Sequence, residues 1–166
     1  MTDEFKTPKA PSEGLFKDKG SKFFGYIFPI KNENEVKAHL ENLKSLHPKA
    51  RHHCFAYKLG IDENNFRAND DGEPSGTAGK PILNTLHSFE LTDALAVVVR
   101  YFGGTLLGVP GLINAYKEAT KEGLGMTMGG TMAKWTTTIK EELLRRPTRM
   151  STQTKSANGK QNLYLS

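Results

Sequence analysis

The chain has one cysteine, Cys54. An internal disulfide is therefore excluded, and a reducing, cytoplasmic setting fits that usage. No apolar run reaches the ~18 residues that a membrane-crossing helix needs. The opening stretch MTDEFKTPKAPSEG contains acidic residues and no apolar segment, so no secretory signal peptide is expected. Several patterns that carry chemistry are missing too. There is no CxxC or HxxxH to complete a zinc site around the adjacent His52, His53 and Cys54. There is no G-x-S-x-G around Ser75, no D-x-D-x-D-G, no Walker A sequence and no G-x-G-x-x-G.

An excess of positive charge is also missing from most of the chain, despite a pI of about 9.3. Residues 1–125 hold 16 Lys+Arg against 16 Asp+Glu, whereas residues 126–166 hold 7 Lys+Arg against Glu141 and Glu142. The basic pI thus reflects the C-terminal stretch, and a nucleic-acid partner has to be argued from local patches. That stretch also contains four of the five methionines and many Thr, Ser and Gly. Its composition predicts a mostly disordered tail with one marginal helix over Trp135–Leu144, ended by Pro147.

Before Gly125 the patterns are regular. Lys22–Ile30 (KFFGYIFPI) is aromatic and β-branched, which predicts a strand. Asn32 and Glu35 form a capping-box pattern, and Val36, Leu40 and Leu43 then share one helical face up to Pro48. Arg51–Gly60 and the short Asn65–Asn69 read as strands paired across Asp62-Glu63-Asn64. Pro81 suits the first turn of a helix bearing Ile82, Leu83 and Leu86. Ala94–Phe102 is apolar almost throughout, as a strand covered on both faces would be. Pro110 opens a last helix expected to turn Leu112, Ile113, Tyr116 and Ala119 inward. These elements predict one α+β domain, a mixed sheet with helices packed on it.

Most of the candidate chemistry sits in the stretch NDDGEPSGTAGKP, residues 69–81. Asp70, Asp71 and Glu73 could hold magnesium or act as acid and base, but Asp-Asp-Gly is also an ordinary tight-turn sequence. Gly76-Thr77-Ala78-Gly79-Lys80 and Gly103-Gly104 each precede a helix, where backbone N–H groups can grip an anion. Close packing of a rigid, shaped loop is the plainer account of both, and the better one. For Arg100 an ion pair with Asp71 or Glu73 competes with a phosphate contact.

The blocks Gly79-Lys80-Pro81-Ile82-Leu83, Val97-Val98-Val99-Arg100-Tyr101-Phe102-Gly103-Gly104 and Leu107-Gly108 resemble the signature of the IMPACT/YigZ family. Asp70–Gly79, Lys19–Phe23 and Arg51–Cys54 are similar to further blocks of it. The resemblance runs from about Ser12 to Leu124 and implies a fold like the second domain of ribosomal protein S5. It also implies a link to translation, which eukaryotic members regulate through protein–protein contacts. It supplies no catalytic residue set and no cofactor. Residues 125–166 stand where two-domain relatives continue into a ferredoxin-like domain, as a native arm or as the product of a shifted reading frame.

The expected function is thus a non-enzymatic contact with ribosome, RNA or a translation-regulatory protein, with no membrane association and no metal or cofactor. Its surface is expected to combine Arg51, His52, His53, Asp70, Asp71, Glu73, Ser75, Thr77, Lys80, Arg100, Tyr101, Gly103 and Gly104. The alternative is a small magnesium-dependent enzyme acting on a phosphorylated or nucleotide-like substrate.

Overall fold

The computed structural model describes residues 4–125 and 135–139. Along them run β1 (Glu4–Pro8), β2 (Ser12–Asp18), β3 (Ser21–Pro29), α1 (Glu33–Leu46), β4 (His52–Lys58), β5 (Phe66–Asn69), α2 (Gly79–Ser88), β6 (Ala94–Tyr101), α3 (Gly108–Leu124) and β7 (Trp135–Ile139). The chain is α+β, as its sequence predicts. The sheet differs from the expected mixed one: its order is β2-β3-β6-β4-β5 and every pairing in it is antiparallel. Strands β3 and β4, joined through α1, do run parallel to each other. However, β6 inserts between them and pairs antiparallel with both.

Helix α1 starts where the capping-box pattern predicts, with the return bond from Glu35 shifted one residue to Lys31, ahead of the cap. Asn32 Oδ1 accepts the Glu35 N–H at 2.9 Å, while Glu35 Oε1 accepts the Lys31 N–H at 2.8 Å. Its residues Val36 and Leu43 pack on one face of the sheet with Tyr26, Leu95, Val97 and Val99. Helices α2 and α3 cover the other face, where Ile82, Leu86, Leu112, Tyr116 and Ala119 meet Phe23, Ile27, Cys54 and Val98. Alternate residues of β6 therefore enter opposite cores, which is why that strand reads as an unbroken apolar run.

Helix α3 lies unusually close to the sheet. A Cβ on Gly25 would stand 2.1 Å from the Ala119 carbonyl oxygen, and one on Gly14 2.4 Å from Glu122 backbone. The two glycines face each other across the β2–β3 ladder and form a groove that seats the helix. Ile113 does not point inward as expected. It is 39% exposed, because the buried stripe of α3 runs through Leu112, Ala115, Tyr116 and Ala119 and leaves Ile113 on its flank.

The expected helix over 135–144 is also replaced by a strand in the part of it that is described, residues 135–139. Residues Trp135–Ile139 form β7, antiparallel to β1 from Pro8↔Trp135 to Glu4↔Ile139. The consecutive threonines Thr136, Thr137 and Thr138 are β-branched and favour extended backbone. Strand β1 is tied back to the domain by the Lys6 N–H donating to Glu90 O at 3.1 Å and Thr92 N–H donating to Lys6 O at 3.0 Å. The rest of the expected tail, residues 126–134 and 140–166, lies outside the described residues.

Candidate functional site

Stretch 69–81 folds around Asp70. One oxygen of its carboxylate accepts the N–H groups of Ala78 at 3.1 Å and Gly79 at 2.8 Å, and the other accepts that of Gly76 at 2.9 Å. These are the donors that a bound anion would have needed at the start of α2. An internal carboxylate takes them instead, in the manner of a helix N-cap. Asp71 adopts φ 42°, its N–H donating to Asn69 Oδ1 at 2.8 Å, and its own carboxylate accepts the His53 N–H at 2.7 Å. Thr77 is buried, its hydroxyl donating to Pro74 O at 2.6 Å. At Gly79 a Cβ would meet the Asn69 nitrogen at 2.5 Å, so only glycine lets α2 start this close to β5. The stretch is a shaped, internally satisfied loop.

Beneath it lies a buried polar cluster. Arg100 Nη1 and Glu73 Oε2 form an ion pair at 2.7 Å, with the two side chains 6% and 4% exposed. The same carboxylate oxygen accepts the Tyr116 hydroxyl at 2.5 Å. Burial, together with Cys54 and Glu73 beside it, pushes the Tyr116 hydroxyl far above its ordinary range. Cys54 Sγ lies 3.4 Å from that hydroxyl and 3.0 Å from the Asp70 carbonyl, and burial raises the thiol well above its usual value. The Arg100 guanidinium is further held between the rings of Phe23 and Phe102, 5.3 and 5.6 Å from their centroids. Arg100 and Glu73 are therefore structural partners, with neither side chain open to a phosphate or a metal.

The expected surface is also divided by the sheet. His52 pairs in register with Arg100 on the α2/α3 face, where its Nδ1–H donates to Asp71 O at 2.8 Å and its Nε2 lies 3.7 Å from Glu73. His53 and Tyr101 occupy the α1 face. His53 Nε2–H donates to the His47 carbonyl at 3.2 Å, and Tyr101 Oη lies 2.5 Å from His47 Nδ1. The other ring nitrogen of His47 is 2.7 Å from Tyr26 Oη, so His47 bridges the two tyrosines. Strand alternation separates the neighbours Arg100 and Tyr101, and likewise His52 and His53, into different layers. Ser75 and Lys80 are exposed on the α2 side.

What does face outward is one end of the sheet, where β3 and β4 begin and β6 ends. Gly20, Lys22, Phe24, Tyr101 and Phe102 line a shallow, open pocket of about 360 Å³ there. Arg51, exposed, donates its N–H to Arg100 O at 3.0 Å and lays its guanidinium 5.3 Å from the Phe102 ring centroid. The strand ends meet so closely that a Cβ on Gly103 would stand 2.0 Å from the Gly20 carbonyl carbon. The Gly103 N–H donates to Ser21 Oγ at 3.0 Å, so this loop does not offer that group to an anion. Gly104, at φ 92°, has open space around it. Sequence reasoning placed Arg51 and Tyr101 here but missed Lys22, Phe24 and Phe102. Neither segment alone signals this, because what brings them together is the register Lys22↔Tyr101, which joins residues far apart in sequence. Among the described residues, no three His, Cys, Asp or Glu side chains group as metal ligands would.

Fold and site together define a small α+β domain with a rigid, glycine-fitted loop framework and an outward-facing basic and aromatic sheet end. The Impact N-terminal domain matches residues 19–124, and the chain belongs to the IMPACT family. It is 41% identical over 124 residues to the IMPACT family member YvyE of Bacillus subtilis, covering 75% of this chain and 57% of that one. It is 40% identical over 119 residues to YigZ of Escherichia coli, covering 70% of this chain and 58% of that one. A crystal structure of a hypothetical protein superposes with a TM-score of 0.73 at 35% identity, covering 84% of this chain and 66% of the other. The matched region thus spans somewhat under 60% of the length of these two curated relatives. No helix among the described residues is long and apolar enough to cross a membrane.

Proposed function

We propose that this chain is a non-enzymatic, translation-associated binding protein. Its working unit is residues 1–124, which contact ribosome, RNA or a translation-regulatory protein through the sheet end bearing Arg51 and Tyr101. The observation that carries this reading is the division of polar groups. Asp70, Glu73 and Arg100, the residues best suited to acid–base or metal chemistry, are committed to internal contacts, while cationic and aromatic groups are left facing solvent. A catalytic site needs titratable groups open to a substrate. Family membership supports the translational setting, since regulation of translation is what the resemblance implies for eukaryotic members.

Co-sedimentation of the full chain with purified ribosomes tests the reading. The wild type should pellet with them at moderate salt, and Arg51→Ala should reduce the bound fraction severalfold. A thermal midpoint raised by magnesium with a nucleotide, in the absence of ribosome binding, would overturn it in favour of an enzyme.

A further inference from the structure

The pocket at the sheet end has the composition of a stacking site. Phe24 and Tyr101 meet edge to face at 5.8 Å and 80°, and Phe102 forms a further part of the lining. We propose that this pocket receives one unpaired nucleobase of an RNA strand, with Lys22 and Arg51 holding the phosphates on either side. The inference rests on the translation-associated reading above and names the ligand chemistry of that surface.

Three features support it. First, the lining is organised before any ligand arrives. Tyr101 is fixed by its hydrogen bond to His47, and Arg51 already lies over Phe102. Little side-chain freedom remains to be lost on binding. Second, the local charge is complementary. Lys17, Lys19 and Lys22 cluster at the β2–β3 turn with Asp18 as the one acid among them, and Arg51 adds a cation across the pocket. Third, the pocket is shallow and open, which suits a base on a polymer that continues past it. The polar groups nearby, Ser21 Oγ and the Gly103 N–H, already bond each other. With aromatic rings as the main contact surface, binding should tolerate any base sequence. A base inside a duplex could reach the rings only by unpairing, so single strands should be favoured.

The test is anisotropy titration of the full chain against a labelled oligouridylate, an oligoadenylate and an RNA duplex of equal length, over a salt series. Both single strands should bind about tenfold or more tightly than the duplex. Phe102→Ala should weaken them roughly 5- to 100-fold with an unchanged salt slope. Lys22→Gln and Arg51→Gln should each weaken binding and reduce the slope by about 0.7. Circular dichroism checks folding; if Phe102→Ala is misfolded, Phe102→Leu, which keeps apolar bulk but removes the flat ring, replaces it. Equal affinity for duplex and single strand, or pocket variants that bind like wild type, would overturn the inference. The second result would assign binding to the basic residues of 126–166. Ribosome co-sedimentation of the same variants separates the two claims. Pelleting that ignores the pocket variants leaves the translational reading standing without the base site. Stacking-dependent RNA binding without pelleting establishes the site and removes the translational reading.

Discussion

Arg100 and Glu73 meet in an ion pair at 2.7 Å, although β6 and the loop before α2 place them 27 residues apart. The pair fastens the loop to the central strand beneath the exposed sheet end. Buried ion pairs contribute little net stability, but loss of one partner leaves an uncompensated charge in the interior. Arg100 already has one buried nitrogen, Nε, with no hydrogen-bond partner among the described residues, so it has little to fall back on. Glu73→Ala is expected to destabilise the fold by about 3–5 kcal/mol. The double variant Glu73→Leu with Arg100→Met should cost clearly less than the two single changes added together. Urea denaturation gives these values, and strict additivity would show that the two side chains do not depend on each other.

Asp70 provides a second test of the loop. Its carboxylate accepts three backbone N–H groups, so Asp70→Ala orphans all of them at once. A lost N-cap costs about 0.5–2 kcal/mol, and hydrogen bonds to a charged acceptor lie at the upper end of the usual scale. A loss of about 2–3 kcal/mol is expected for Asp70→Ala. Asp70→Asn should cost less, because its amide oxygen can still serve Ala78 and Gly79. Equal losses for the two variants would mean that the hydrogen bonds are not what holds the loop.

Much of this architecture is legible in the chain. The aromatic and β-branched run after Ser21, the capping box at Asn32 and the apolar run of β6 each carry a local signal, and each element formed where that signal lies. Strand β2 carries almost none. SEGLFKD has only Leu15 and Phe16 as large apolar residues, and it becomes a strand because Gly14 lets α3 pack across it. The site was harder to read. The order of its motifs suggested one patch holding Arg100 and Tyr101, but adjacent strand residues face opposite ways. The pocket depends on a β3–β6 register that no single segment encodes.

The α3 groove makes a strong steric prediction. At Gly25 an added methyl group would overlap the Ala119 carbonyl, and backbone on both sides leaves nothing flexible to yield. Gly25→Ala should destabilise the domain by about 3 kcal/mol or more, at or above the upper end of ordinary overpacking. A thermal midpoint within about 2 °C of wild type, followed by circular dichroism, would show that α3 can lift away from β3 cheaply.

Acid sensitivity should originate partly at His53. Burial lowers its pKa below the ordinary ~6.5, and Lys44 and His47 act in the same direction; the hydrogen bond to the His47 carbonyl and the Asp71 carboxylate oppose it without prevailing. The unfolded chain therefore takes up a proton at a higher pH than the folded one does. The stability involved is complete above about 6.5 and falls as the pH drops through that value towards the lower folded pKa, at up to about 1.4 kcal/mol per pH unit. His53→Gln should flatten the dependence of stability on pH between about 7 and 5. A variant with the wild-type slope would assign the acid response to the other histidines lowered by burial, His39, His47 and His87.

Cys54 should be chemically silent in the folded protein. Its side chain, on β4, is fully buried in the core under α2 and α3, its sulfur lies near the Asp70 carbonyl and the Tyr116 hydroxyl, and burial holds the thiol protonated well past neutral pH. Thiolate is the reactive form, so both access and ionisation oppose attack. A thiol reagent at pH 8 should label the native chain only as fast as it unfolds, and label it at once in urea. Glu73→Ala, which loosens the same cluster, should speed the native reaction by raising the population of open molecules. Rapid labelling of the wild type without denaturant would mean that the loop over β4 opens freely, and that the buried cluster does not hold the sheet end rigid.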